Sequence, residues 1–372
     1  MLSSLLGIRL ILWMGKTIPT PAPLAVLDAL SSVEVKNDSE KGDGFKIEFT
    51  LSKDKTGDFG LLNNGAVDQF NRVIIGVLLG VTPEVLIDGI ITHHQIEPSN
   101  EPGKSTLTVM GTDISVMLDL EEQNEKFENQ PDFIIATRLL SKYAKYGIVP
   151  NPTTTSDIPI MLQRIPRQCD TDSRFLKRMA ERNGFVFYIE PVTFGVSKAY
   201  WGPENRLGLP QPALSINLGE FTNVKTLKFS NDSLAGVESE GSFIEPMTRM
   251  SLPIPRLPSL KIPPLSRSPV EARRRSLERN SANRNPAQAA TSVMATATNA
   301  PDPVKGEGEL DTVKYGHVLR ARRLVAVSGA GLSYDGDYMV KSVTHNIKKG
   351  EYTQSFSLSR DGIGAILPVV MR

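Results

Sequence analysis

The stretch Gln168-Cys-Asp-Thr-Asp-Ser-Arg-Phe-Leu-Lys-Arg-Met-Ala-Glu-Arg-Asn-Gly-Phe-Val-Phe-Tyr188 reads as helix, stop and strand in one run. From about Asp172 to Arg182 the apolar residues Phe175, Leu176, Met179 and Ala180 fall on one helical face, and Arg174, Lys177, Arg178, Glu181 and Arg182 take the other. Asp170 and Asp172 stand where carboxylates suit a helix N-terminus, because they can satisfy free backbone N–H groups and meet the positive end of the dipole. Asn183-Gly184 supplies the stop, since glycine enters the left-handed conformation without steric cost. The period then drops to two in a strand from Phe185 to Ile189, which carries Phe187 and Tyr188. A second helix is expected over Asp132–Tyr146, where Ile135, Leu139 and Tyr143 recur every four residues and Asp132 is placed as N-cap.

Outside this small α+β middle the chain is patterned for strands. Phe45, Ile47, Phe49 and Leu51 alternate with Lys46, Glu48, Thr50 and Ser52, and Asn37 to Gly44 separates them from the run Ser32 to Lys36 as a hairpin loop. Further strands are expected at Ile8–Trp13, Val73–Leu79, Val85–Ile96, Ser105–Met110, Gly316–Val327, Tyr338–Ile347 and Tyr352–Leu358. Many short strands punctuated by Gly, Pro and Asn suggest barrels or sandwiches, so the fold class is mainly β with a small α+β middle. Composition changes over 245–305, with seven prolines between Pro246 and Pro269, a basic run Glu271–Arg279 and an Ala/Thr/Asn-rich run Ala287–Ala300. This Pro/Arg-rich insertion is expected to be extended or mobile, with one short helix around Val270–Asn280, and deletion of Pro253–Ala300 is expected to leave the fold intact.

The two β-regions echo one another. Ile91-Thr-His-His-Gln-Ile96 followed by Ser105–Val109 matches Val343-Thr-His-Asn-Ile347 followed by Gln354–Leu358, with Asp88-Gly89 and Asp335-Gly336 before them. The echo predicts two related β-domains in one chain, so that three chains around an axis would present six quasi-equivalent units. The expected organisation is a first tube-like β-barrel domain at 1–125, the middle domain at 126–200, the start of a second barrel at 201–244, the insertion at 245–305, and the rest of the second barrel at 306–372. Polar residues alternate along these hairpins, as in Thr106/Thr108 and Ser355/Ser357, which marks one face of each as polar.

The Gln168–Tyr188 stretch, Tyr334-Asp-Gly-Asp-Tyr-Met-Val-Lys-Ser-Val-Thr-His345 with Tyr352–Gly362, and Gly89–Leu118 together resemble the phage late-control protein D and VgrG hub family, in the same order along most of the chain. The resemblance implies a homotrimer whose two barrels per chain form a pseudo-sixfold annulus. It implies a hexameric tail-tube protein on one side, a trimeric spike protein on the other, and baseplate wedge or LysM-type tail proteins nearby. The residues carried over are structural: Asp170, Asp172, Phe175, Leu176, Met179, Ala180, Glu181, Gly184, Phe187 and Tyr188 in the middle, and Gly336, Tyr338, Val340, Val343 and His345 near the end. It implies assembly in the bacterial cytoplasm and a final place in the tail baseplate of a virion or in an injection particle. No spike region follows Arg372, so the spike is expected to be a separate protein.

Composition argues against other classes. Lys and Arg number 42 against 41 Asp and Glu, which gives no reason to expect nucleic acid. Met1–Met14 is too short to span a bilayer, which takes about 20 residues, and Arg9 inside it does not fit a signal peptide. The single Cys169 rules out an intrachain disulfide and is expected to be buried or half-buried. Adjacent His93 and His94 point to opposite faces of a strand and are not expected to chelate a metal. Glu121-Glu122 reads as surface, and no Gly-x-Ser-x-Gly elbow or phosphate loop is present. A structural, non-enzymatic role without cofactor or metal is therefore expected. The competing class is a tail-associated peptidoglycan or polysaccharide hydrolase or a carbohydrate-binding protein, against which stand aromatics at only 6%, scattered along the chain.

Overall fold

Alternating apolar residues build the N-terminal strands in the order expected, and the helical middle and a second set of strands follow. A computed structural model describes residues 8–53, 59–80, 82–101, 103–155, 157, 159, 161, 165–244, 250–254, 257, 259–277 and 286–366. The first part comprises β1 (Ile8–Gly15), the short β2 (Thr20–Pro21), α1 (Leu24–Ala29), β3 (Leu30–Asp38), β4 (Gly44–Leu51), β5 (Arg72–Leu79), β6 (Thr82–Glu97) and β7 (Ser105–Asp113). The middle holds β8 (Glu122–Lys126), α2 (Asp132–Ser141), β9 (Ile148–Pro152), β10 (Arg167–Thr171), α3 (Asp172–Asn183), β11 (Val186–Thr193) and β12 (Val196–Gly202). β13 (Gln211–Ser215) and β14 (Val224–Asn231) follow. A long excursion then carries β15 (Val237–Ile244), β16 (Ser251–Ile254), β17 (Ser268–Pro269), β18 (Arg274–Leu277) and α4 (Pro286–Asn299). The chain finishes with β19 (Val304–Asp311), α5 (Thr312–Tyr315), β20 (Leu324–Ser328), β21 (Gly336–Lys348), β22 (Glu351–Arg360) and β23 (Gly362–Ile363).

Thirteen strands join into one sheet. Its first part runs β3-β4-β7-β6-β5-β1 and its second part β14-β19-β22-β21-β20-β13, the same order and the same chain sequence in each. The last pair differs in sense: β1 is antiparallel to β5, whereas β13 is parallel to β20. Irregularities also coincide. The β6–β7 ladder passes from Ile91–Gly111 to His93–Met110, skipping Thr92, and the β21–β22 ladder passes from Val340–Leu358 to Ser342–Ser357, skipping Lys341. Carrying that match across β4 and β19 brings Leu30 over Val224, where both ladders again skip one residue, Ser31 and Lys225. The backbone N–H of Phe70 donates to Ile91 and that of Arg322 to Val340, and both donors are left-handed, at φ 62° and 63°. On this match Leu30–Asp38 corresponds residue for residue to Val224–Asp232, and both end in Asn-Asp. It also shifts the Thr-His echo, because His345 falls over Ile96 and not over His93.

Each part wraps its own core. Val33, Val35, Ile47, Phe49, Ile75, Leu86 and Leu107 anchor the first, and Leu214, Leu310, Val327, Tyr338, Val340 and Phe356 the second. Between them lies a third cluster with Phe127, Ile135, Leu139, Phe175, Leu176, Met179 and Trp201.

Several expectations are corrected. α2 stops at Ser141, and a separate 3-10 turn at Ala144–Tyr146 ends on left-handed Gly147. Asp132 is the first helical residue after Pro131, so its carboxylate turns to side chains and not to the helix amides. The expected strand Gly316–Val327 begins only at Leu324, because α5 and Gly316 at φ 75° turn the chain first. In the insertion the helix is α4, while Arg274–Leu277 is a strand paired with Val237–Glu240; residues 278–280 of the expected helix lie outside the described residues. α4 is neither extended nor detached: it buries Ala289, Ser292, Val293 and Ala295. Cys169 is exposed, since β10 turns Gln168 inward and its neighbour outward.

Candidate functional site

The two parts of the sheet meet where β21 pairs antiparallel with β3, from Ser342–Asp38 to Lys348–Ser32. Side chains from both parts close this seam. His345 is fully buried; its Nδ1 lies 2.8 Å from Tyr352 Oη and 3.1 Å from Gln354 Nε2, and its Nε2 lies 3.2 Å from Asn37 Oδ1. An amide oxygen can only accept, so Nε2 carries the proton and Nδ1 accepts from the hydroxyl and the amide. Burial first, and then the nearby Arg320 guanidinium, push the imidazole down to about 3, so the ring is neutral. Gln354 in turn donates to Leu319 O and accepts from Leu319 N.

Asn37 Nδ2 carries the chain of bonds onward to Asp43 Oδ2 at 3.1 Å. Arg322 grips Asp43 through two nitrogens at 2.5 and 3.0 Å, donates to Asp38 O, and lies 4.4 Å over the Tyr188 ring of the middle unit. Arg320 binds Glu84 at 2.8 Å and Val85 O at 2.6 Å. The middle unit is tied to the first part by Arg72, which holds Asp88 through two bonds of 2.6 and 2.7 Å and donates to Tyr146 O. The bond from Arg320 to Glu84 spans 236 residues of sequence and that from Arg322 to Asp43 spans 279.

The motif residues divide into two groups. Phe175, Leu176, Met179 and Ala180 are buried together, with Phe175 stacked on Phe127 at 5.8 Å and Trp201 Nε1 donating to Leu176 O. The N-cap is Thr171, which accepts from Arg174 N. Asp172, the first helical residue, accepts from Gln168 and Tyr143, while Asp170 sits on β10 and pairs with Arg178, so neither carboxylate caps the helix. Glu181 is exposed and its carbonyl accepts from Asn299; Phe187 is half-buried beside the same core. Gly184 at φ 67° ends the helix under α4, where a Cβ would come 3.1 Å from Ala295 Cα. Gly336, Tyr338, Val340, Val343 and His345 lie on β21, with Tyr338 and Val340 fully buried. Sequence reading missed Asn37, Asp43, Arg322 and Gln354; the one available sign was the repeated Asn-Asp at 37–38 and 231–232.

A second buried network fixes the insertion. Arg206 is buried among Glu204 at 2.9 Å, Asp302 at 3.5 Å and Asp361 at 3.6 Å, and Lys261 reaches Asp302 at 2.9 Å. Burial works against ionisation of Asp302, but Lys261, Lys341, Arg206 and the Ser359 hydroxyl outweigh it and hold the carboxyl below its usual range. Through Asp302 the insertion is tied to the rest of the chain, since that carboxylate also meets Arg206 and Ser359.

Across the seam the ladders set Ser355, Thr344 and Lys36 in one row, and Thr353, Asn346, Glu34 and Lys46 in another. Thr106, Thr108, Ser355 and Ser357 share this one polar face, opposite the apolar cores. Among the described residues no group of three or more His, Cys, Asp or Glu could hold a metal, and no helix is long and apolar enough to cross a membrane.

The fold is similar to that of phage tail and VgrG-type proteins. A tail protein from Neisseria meningitidis MC58 matches with a TM-score of 0.65 at 12% identity, over 96% of this chain and 98% of that one. The 43 kDa tail protein of prophage MuSo2 from Shewanella oneidensis matches at 0.62 and 15%, over 96% and 99%. A chain of the Francisella PdpA–VgrG complex matches at 0.57 and 8%, over 98% of this chain and 60% of the other. At such identities the likeness is one of fold. No known family profile and no curated protein matches the sequence.

Proposed function

We propose that this chain is the structural hub of a contractile tail or injection system, a homotrimer whose two sheet modules per chain form a ring of six. The observation that carries the reading is internal: two modules share strand order, two ladder irregularities and one left-handed corner. A duplicated module lets three chains present six similar units, which reconciles a sixfold neighbour with a threefold one. On this reading a hexameric tail-tube protein stacks on the ring and a trimeric spike protein binds the opposite side, with wedge or LysM-type proteins at the rim. The continuous polar face bearing Thr106, Thr108, Ser355 and Ser357 lines the channel. The modules are 1–125 and the pair 201–244 with 306–372, the α+β unit is 126–200, and 245–305 is the inserted strap. The motif residues of α3 and β21 act by packing, and no residue acts on a substrate. Assembly in the bacterial cytoplasm and a final place in the tail or particle follow from that role, without specific nucleic acid binding or membrane insertion.

The test is the mass of the purified full chain by light scattering, followed by particle images. Three chains with six similar lobes around one axis are expected. A monomer at every concentration, or a twofold dimer, would sink the reading.

A further inference from the structure

We propose that the joint between the two modules and the middle unit is a proton-sensitive latch, closed while Asp113 is a neutral carboxyl and loosened when it ionises beside Asp43. The inference concerns a single chain and stands whether or not chains assemble. Two carboxyl groups and one guanidinium meet at this joint. Asp43, in the turn between β3 and β4, and Asp113, the last residue of β7, are tied by a bond of 3.1 Å from Asp113 N to Asp43 O. The Asp43 carboxylate is buried and its oxygens are taken, by Asn37 Nδ2, by Asp38 N and by two nitrogens of Arg322. Arg322 comes from the second module and also donates to Asp38 O. Asp113 Oδ1 accepts from the Ser115 hydroxyl at 2.7 Å, a neutral donor.

The other charged groups around the joint are committed elsewhere. Asp38 turns to Lys36 and to the amides of Glu40 and Lys41. On the other side of Arg322 lie the Tyr188 ring and Glu204, which pairs with Lys341 and Arg206. Lys177 on α3 also acts on Asp113, but it is exposed, so solvent screens it. One buried guanidinium thus faces two carboxyl groups, and like charges that share a site ionise together only at a cost. Asp43 holds the guanidinium, so the proton belongs to Asp113. Asp113 keeps some exposed surface, yet its carboxyl is crowded by protein over the distance at which charge is solvated. Burial first, and then the Asp43 charge, push this carboxyl up to about 7, while Ser115, Arg322 and Lys177 pull the other way.

The folded carboxyl binds its proton more tightly than the unfolded one, at about 7 against 3.8. By linkage its hold on the joint is complete below 3.8 and is lost as pH rises through 7. This sense is opposite to that of His345 and Asp302, whose contributions are lost toward acid. His345, bonded to Asn37 in the same network, stays neutral while Asp113 ionises. With those two values the open fraction of the joint rises about tenfold between pH 6 and 8 and then levels off, because both forms are ionised above that. The latch joins three units at once: Asp43 and Asp113 belong to the first module, Arg322 to the second, and Tyr188 to the middle unit.

The test is amide exchange on the full chain, corrected for the intrinsic effect of pH, and read at Asp38 and Asp113, whose amides both bond to Asp43. Wild type should lose protection about tenfold between pH 6 and 8 and little more by pH 9. Asp113→Asn, which keeps the shape without the charge, should hold its protection across the range. Ser115→Ala removes a donor that favours the charged form, so its loss of protection should move to higher pH. Infrared difference spectra over the same range should show a protonated carboxyl band disappearing in wild type and no such change in Asp113→Asn. The wild-type spectrum and the Ser115→Ala shift decide the matter should the asparagine variant fail to fold. Equal exchange profiles for wild type and Asp113→Asn, an unmoved profile in Ser115→Ala, or a wild-type spectrum without the carboxyl change would overturn the latch.

Discussion

His345 Nε2 donates to Asn37 Oδ1 across 308 residues of sequence, one bond that ties the last long hairpin to the first. It requires a neutral ring, because Nδ1 must accept from Tyr352 and Gln354 while burial and Arg320 oppose a second proton. The ring's pKa is depressed in the folded chain, from 6.5 to about 3. By linkage its contribution is fully present above 6.5 and is lost as pH falls toward 3. Denaturant midpoints should therefore fall on acidification through that window. His345→Gln should show a smaller fall than wild type, though a lower midpoint at pH 7. Parallel pH profiles for the two chains would refute the assignment.

Arg72 and Asp88 form a buried pair inside the first module, and Arg72 also donates to Tyr146 O of the middle unit and to Thr17 O. Removing one partner leaves an uncompensated charge, so Arg72→Ala should cost about 3–5 kcal/mol. Arg72→Met combined with Asp88→Leu should recover most of it, because apolar pairs of similar volume often replace a buried ion pair without loss. Urea unfolding of the three chains gives the comparison. A double variant as unstable as the single one would show that the bonds to Tyr146 O and Thr17 O matter more than the charge.

α3 was legible because its burial follows large side chains at helical spacing, and Phe175, Leu176, Met179 and Ala180 took the places that spacing assigned. α4 was hidden for the opposite reason. It packs through small residues, Ala289, Ser292 and Ala295, and ties its Thr291, Thr296 and Thr298 hydroxyls to its own backbone four residues back, so composition resembles that of a polar linker. Strand positions could be read from alternation, yet the seam could not. Asn37, Asp43 and Arg322 look like ordinary surface residues in sequence, and only the fold brings them together. The Thr-His echo pointed to these two hairpins but in another register, because the skipped residues Thr92 and Lys341, which set the match, are not marked in the sequence.

Phe175 tests the core of the middle unit. Its ring stacks on Phe127 and carries the Arg178 guanidinium 5.2 Å above it. Phe175→Ala should cost about 3–5 kcal/mol, the range for emptying a buried aromatic site. Because the middle unit holds Tyr188 against Arg322 at the seam, the proposed trimer should weaken before any partner contact does. Normal trimers with unchanged thermal stability would place this helix outside the cooperative core.

Gly184 separates two kinds of cost, and a matched glycine makes the separation measurable. At φ 67° any side chain strains the backbone, and a Cβ there would also press on Ala295, Leu260 and Thr298 of the insertion. Gly219 has nearly the same dihedral, φ 60°, with nothing within 4 Å of its would-be Cβ. Gly219→Ala should therefore report the conformational penalty alone, about 1 kcal/mol. Gly184→Ala should exceed it, and amide exchange should quicken across α4 and at Asn299, which binds Glu181 O beside the stop. Equal losses in the two variants would mean that the insertion gives way freely. In that case its hold on the rest of the chain would reside in Asp302, which pairs with Arg206 and accepts from Ser359, and not in the contact with α3.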